Sequence, residues 1–258
     1  MVLQFPPNPT VGQVFQLWTW DGQKWVCTGG GGVTPPVPPP GGEVMPVNQV
    51  VFTASGVYTR TPGLVSAIVE LTGGGGAGAG VEVSTGTLAG GGGGSGAYTR
   101  AVFSAAQLGA SQLVTIGPGG VGAAGAVKGG DGSMSSFGGL LTAPGGFGGD
   151  ANISGGAGAP AMANPPPGVL ALPGNGGSAG EQNLAVANFV IGGTGASSYY
   201  SGDAVGTEVV PGNSAPGNSA SYGSGGSGAA QSNGTTPQPG GRGGDGLCVI
   251  TEFIATPQ

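Results

Sequence analysis

The chain has 258 residues, of which 63 are Gly and 22 Pro. That is 85 of 258, about 33%, against roughly 12% in an average chain. Charged residues make up 6%, and 11 acidic against 5 basic side chains leave a net charge of −6. Nucleic acid and anionic membrane surfaces, which need clustered cations, are therefore poor partners. The absence of histidine removes Ser-His-Asp and Cys-His catalysis and imidazole metal sites. The composition reads as a non-enzymatic protein with no cofactor, no bound metal and no membrane insertion.

In chain order, residues 1–33 come first and hold all three tryptophans. "VFQLWTWDGQKWVCTG" (14–29) alternates and turns at Asp21-Gly22, a β-hairpin pattern in which Trp18, Trp20 and Trp25 staple a small unit. So small a unit buries too little surface to stand alone and should dock on a larger body. No charged, apolar leader is read in the opening residues, so any release is expected to be leaderless or by lysis. Residues 34–47 are dense in proline and read as a semi-rigid polyproline linker.

From residue 48 to 258 the chain reads as a mainly β, glycine-rich domain. "QVVFTASGVYTR" (49–60) suggests two short strands about Ser55-Gly56, and "LVSAIVEL" (64–71) a buried strand. "AYTRAVFS" (97–104), "QLVTIG" (112–117), the weaker "MSSFGGLLTA" (134–143) and "GLCVITEFI" (246–254) complete six or seven strands, which favours a β-sandwich. "LAVANFV" (184–190) is ambiguous between helix and strand. Cys27 and Cys248 read as reduced, buried small hydrophobes rather than a disulfide.

Glycine tracts fill 73–80, 89–96, 117–133, 144–160, 173–180 and 211–246. Helix is excluded there, because each interior Gly costs about 1 kcal/mol against Ala. Polyproline-II geometry suits both Gly and Pro but makes no internal hydrogen bonds. Buried peptide groups need partners, and without Cβ atoms neighbouring backbones approach closely enough to supply them. The expectation is a β-sandwich carrying polyglycine, polyproline-II-like loops that bond laterally, side by side.

Several motifs carry no weight. G-x-G-x-x-G matches at 73–78 and 117–122, but this glycine content supplies roughly four by chance. Four aspartates beside glycine (131, 150, 203 and 245) lack the tandem spacing of a calcium roll and read as turn formers bonding their own backbone.

The order of the pieces is more specific. "FTASGVYTRTPGLVSAIVELTGGGGAGAG" (52–80), "GGSGAYTRAVFS" (93–104), "VTIGPGGVG" (114–122) and the terminal "GGRGGDGLCVITEFI" (240–254) resemble the glycine-rich domain of bacteriophage tail fibres. "FPPNPTVGQVFQLWTWDGQKWV" (5–26) is similar to a short module that opens many phage virion proteins. The resemblance implies a virion protein, made in the host cytoplasm and assembled as a homotrimer. Its Trp18, Trp20 and Trp25 module would dock on another virion protein. Its glycine-rich domain would meet a host polysaccharide or outer-membrane protein, with Phe147, Tyr199, Tyr200 and Tyr222 as contact residues. A purely architectural virion protein, without host contact, is the competing class.

Overall fold

The computed structural model describes residues 8–15, 18–27, 47–151, 155–156, 165–183 and 189–255. The chain divides into two compact units, Met1–Val44 and Met45–Gln258.

The first unit is a three-stranded antiparallel sheet of β1 (Val14–Phe15), β2 (Trp18–Trp20) and β3 (Trp25–Cys27), in the order β1-β2-β3. The turn between β2 and β3 spans Asp21–Lys24 and is fixed by the Asp21 carboxylate, which accepts the N–H groups of Gln23 (2.8 Å) and Lys24 (2.7 Å). Trp20 lies opposite Trp25, with ring centroids 5.7 Å apart. The side chains of Trp18 and Cys27 lie outside the described residues.

The second unit begins with β4 (Val47–Phe52), β5 (Gly56–Thr59), β6 (Leu64–Thr72) and β7 (Thr87–Ala89). Next come β8 (Tyr98–Ser104), α1 (Ala105–Leu108), β9 (Ser111–Thr115), β10 (Ser135–Phe137) and β11 (Leu141–Ala143). The remainder comprises β12 (Leu170–Leu172), β13 (Glu181–Asn183), β14 (Phe189–Ile191), β15 (Glu208–Val209), β16 (Ser214–Ala215), β17 (Ala230–Ser232) and β18 (Leu247–Ile254).

A five-stranded antiparallel sheet, β12-β8-β6-β18-β4, faces a four-stranded one, β11-β10-β9-β5. Period-two alternation puts Ala67, Val69 and Leu71 of β6, Ala101 and Phe103 of β8, and Cys248 and Ile250 of β18 into the core between them. They meet Tyr58, Val114, Phe137 and Leu141 from the second sheet, with Phe137 packed between Tyr58 (5.6 Å) and Phe103 (6.5 Å). The expected sandwich is therefore present. The two strands read about Ser55-Gly56 also form, but they do not pair with each other: β4 joins β18, whereas β5 joins β9. The short α1 was not anticipated, although "SAAQLG" (104–109) carries its signal. Ser104 and Gln107 form a reciprocal capping box, and Gly109 ends the helix with φ 63°.

Glu252 ties the two sheets together. Its carboxylate is fully buried yet accepts four hydrogen bonds: Tyr58 Oη (2.6 Å), Asn48 Nδ2 (2.7 Å), Thr61 N (3.0 Å) and Thr61 Oγ1 (2.6 Å). Burial pushes its pKa up, but the Thr61 and Tyr58 hydroxyls, the Thr61 N–H and Asn48 outweigh burial and hold it below the ordinary glutamate value.

The glycine tracts build a second core out of backbone. Residues 71–81 and 89–99 are buried without a break. From Gly73 to Gly80 every N–H donates outward, in rotation to three tracts. Gly73, Gly76 and Ala79 donate to the carbonyls of Ala97, Gly94 and Gly91; Gly74, Ala77 and Gly80 to those of Ser133, Gly130 and Val127; Gly75 and Gly78 to those of Gly244 and Gly241, all at 2.8–3.1 Å. A period of three with outward bonds is the geometry of a polyproline-II helix. In return the 73–80 carbonyls accept from Gly146 and Gly149, from Gly120, and from Gly226 and Ala229. The tract thus has six bonded neighbours. Residue numbers fall along the three tracts it donates to, which run antiparallel, and rise along 146–149 and 226–229, which run parallel. Segment 89–97 repeats the arrangement, donating to 223–229, 144–150 and 175–178. Such contact requires missing side chains: a Cβ on Gly78 would lie 1.9 Å from the Ser227 carbonyl oxygen. Ala77 and Ala79 mark places in this tract where a methyl fits, both fully buried.

At the end of the bundle away from the sandwich, β7, β14 and β17 continue their tracts into two three-stranded sheets, β13-β14-β15 and β16-β17-β7. Ala89, Val190, Val209 and Ala230 form a small core there. Of "LAVANFV", Phe189 and Val190 begin β14, and 184–188 lie outside the described residues.

Candidate functional site

The root of the glycine bundle gathers three tyrosines. Tyr98 opens β8, and its hydroxyl donates to Glu70 Oε1 of the neighbouring β6 at 2.5 Å. Tyr199 and Tyr200 arrive from a serine-built turn. Ser198 Oγ accepts the N–H groups of Tyr200 (3.3 Å) and Ser201 (3.1 Å) and donates to the Tyr222 carbonyl (2.6 Å). Ser198 N in turn donates to the Ser201 carbonyl at 2.9 Å. Serine hydroxyls commonly bond backbone two or three residues on, so "SSYYS" (197–201) specifies this turn locally. The Tyr199 ring stacks on Tyr98 at 3.8 Å with an 18° interplanar angle, and Tyr200 meets Tyr199 edge-on at 5.1 Å. Burial foremost, then Glu70, pushes the phenols of Tyr98 and Tyr200 well above the ordinary tyrosine value.

Beside the stack lies a recess of about 390 Å³, lined by Tyr98 and Tyr199 with Ser95, Leu172, Asn175 and Ser198. Asn175 is anchored through its N–H to Ser95 Oγ (2.8 Å) and through Nδ2 to the Ser197 carbonyl (3.0 Å). Tyr222 borders a second recess of about 270 Å³ with Thr53, Ser221, Arg242 and Asp245. It sits in a 221–224 turn with φ 37°, followed by Gly223 at 78°.

Of the residues expected from sequence, Tyr199 and Tyr200 come together, and the Tyr222 backbone is tied to them through Ser198. Phe147 does not join them. It lies one helical turn further along the bundle, where Gly94 N bonds its carbonyl, and its ring faces Lys128 Nζ at 6.0 Å. Tyr98 and Glu70, which fix the stack, were not anticipated. Both read as ordinary strand residues, and nothing local marks their pairing with a turn about a hundred residues later.

Two of the glycine-flanked aspartates bond a neighbouring tract, not their own turn, which corrects the sequence expectation. Asp131 accepts Gly148 N and Asp245 accepts Gly119 N, each at 2.8 Å. Each is also paired with a cation three residues earlier, Lys128 (3.0 Å) and Arg242 respectively. With three residues per turn, positions i and i+3 stack on one face, so "KGGD" and "RGGD" are the ion-pair spacing of this helix. Among the described residues no group of three or more Cys, Asp or Glu side chains converges as a metal site.

A family model described as a glycine-rich domain matches residues 53–252. The chain belongs to that glycine-rich domain family. No curated protein matches the chain. The match to the glycine-rich domain ends at Glu252, the carboxylate that ties the two sheets, and spans the whole bundle. It starts after β4, which supplies an edge of the larger sheet.

Proposed function

We propose that this chain is a bacteriophage virion adhesin, a tail fibre or tail-tip protein acting as a homotrimer. Residues 1–33 dock on another virion protein, and the glycine-rich domain meets the host surface. The observation that carries this reading is the polarity of the second unit. β4 pairs with β18 so that Phe52 lies opposite Cys248, beside the bundle, and Val47 lies opposite Phe253, at the far end of the sandwich. The chain therefore joins the domain at the pole opposite the glycine tracts. From that sandwich the seven steps of Gly73–Gly80 project about 22 Å at 3.1 Å each. A stiff body attached at one pole and laterally bonded along its length suits presentation of a surface to another cell. The resemblance in the order of the sequence pieces supplies the viral context, and the docking module is the part that looks like the start of other virion proteins.

The test uses the whole purified chain, fluorescently labelled, on a panel of bacterial strains differing in capsule and outer-membrane composition. Labelling of a strain, together with protection of that strain from the corresponding phage by excess protein, is the expected result. Presence in purified particles without labelling or protection would replace this reading with an architectural one. Absence from particles would remove both.

A further inference from the structure

We propose that the recess beside Tyr199 binds a neutral pyranose ring, stacked on the exposed Tyr199 ring and hydrogen-bonded by the Asn175 carboxamide; this rests on the host-contact reading above. Tyr199 is 59% exposed, yet its ring is fixed from behind. Tyr98, only 3% exposed, holds one face at 3.8 Å and is itself locked by its bond to Glu70. The Ser198 turn fixes the backbone from which Tyr199 projects. An exposed aromatic ring held in place before any ligand arrives costs little ordering entropy on binding.

The lining sets the chemistry of the ligand. Ser95, Gly96, Leu172, Pro173, Gly174, Asn175 and Ser198 surround the two tyrosines, and none carries a charge, so the ligand is neutral. Asn175 is exposed, and its carboxamide oxygen accepts no hydrogen bond among the described residues. A pyranose offers C–H bonds on one face for an aromatic ring and a rim of hydroxyls for amide and hydroxyl partners. Leu172 and Pro173 supply an apolar edge beside that rim. A volume near 390 Å³ lies at the small end of ligand sites, which run from about 300 to 1,000 Å³. An extended peptide finds no ladder on Ser95 and Gly96. The N–H groups of Ser95 and Gly96 are already committed to the carbonyls of Asn175 and Gly223.

The experiment is saturation-transfer NMR on the full chain with the methyl pyranosides of glucose, galactose, mannose and N-acetylglucosamine. At least one should show saturable transfer to its ring C–H protons, with affinity on the order of millimolar for so few contacts. Tyr199→Ala should weaken it at least about tenfold, whereas Tyr199→Phe, which keeps the stacking face, should stay within about twofold. Val57→Ala, an exposed residue of β5 that lines neither recess, should leave it unchanged. No transfer from any of the four sugars, or equal binding by Tyr199→Ala, would overturn the proposal. If the chain labels bacteria while either of these results holds, the sugar site fails and the adhesin reading stands. Sugar binding without labelling of any strain leaves the site and removes the host-contact reading.

Discussion

Replacing Gly76 with alanine probes the close-packed bundle at its centre. A Cβ at this position would lie 2.1 Å from the Phe147 carbonyl oxygen and 2.3 Å from its carbon, where ordinary contact begins at 3.4 Å. Segment 144–150 would have to retreat by 3.4 − 2.1, or 1.3 Å. It is held there by bonds from Gly91, Gly94 and Ala97 and by its own bonds from Gly146 and Gly149, all at 2.8–3.1 Å. A retreat of that size breaks two or three of them, and each buried peptide group left without a partner costs about 1–3 kcal/mol. The lower chain entropy of unfolded alanine returns only about 0.4–1 kcal/mol. The expected net loss is about 3–5 kcal/mol, or a Tm lowered on the order of 10 °C for a domain of this size. The assay is thermal and urea unfolding followed by circular dichroism. Gly139→Ala is the control, since a Cβ there meets nothing within 4 Å, and it should be neutral or slightly stabilising. If Gly76→Ala unfolds within about 0.5 kcal/mol of the parent, the tracts have room for a methyl and the reasoning fails.

Glu252→Gln should cost about 2–3 kcal/mol, because an amide cannot accept from all four donors that the carboxylate satisfies, and urea unfolding at neutral pH measures this. Glu252, Asp131 and Asp245 all sit below their ordinary pKa values, so the folded state binds fewer protons than the unfolded chain. Stability should hold from neutral pH down to about 5, then fall as pH drops through the unfolded values near 4 and on through the folded ones. Glu252→Gln should flatten that acid limb; an unchanged limb would show that other groups cause it. Arg242→Ala should cost no more than about 0.5 kcal/mol, since its ion pair is 44–45% exposed, whereas Asp245→Ala should cost about 1–2 kcal/mol by freeing Gly119 N. Equal losses from the two would contradict the cross-tract role of Asp245. Burial pushes the Cys248 thiol up to about 12, so in a Cys27→Ser background it should resist an aromatic disulfide reagent until urea unfolds the chain.

The alternation in "LVSAIVEL" and "GLCVITEFI" determined which side chains enter the sandwich, because a strand exposes its faces with a period of two whatever its neighbours. The glycine tracts likewise determined their own geometry: without Cβ atoms, helix is unfavourable and lateral bonding is open. "SAAQLG" and the "KGGD" and "RGGD" spacings were legible too, once three or four residues are recognised as one turn. Strands of two or three residues at the distal end were not legible, since so short a run has no period to detect. Tertiary structure alone decided which tract lies beside which, because a polyglycine surface is the same in every direction and carries no side-chain code for its partner. The ends of the tracts had to choose instead, and the sandwich and the distal sheets hold them in register. Tertiary structure also placed Tyr199 on Tyr98 and left Phe147 apart, because aromatic contact depends on where the turns project and not on how many rings the tracts contain.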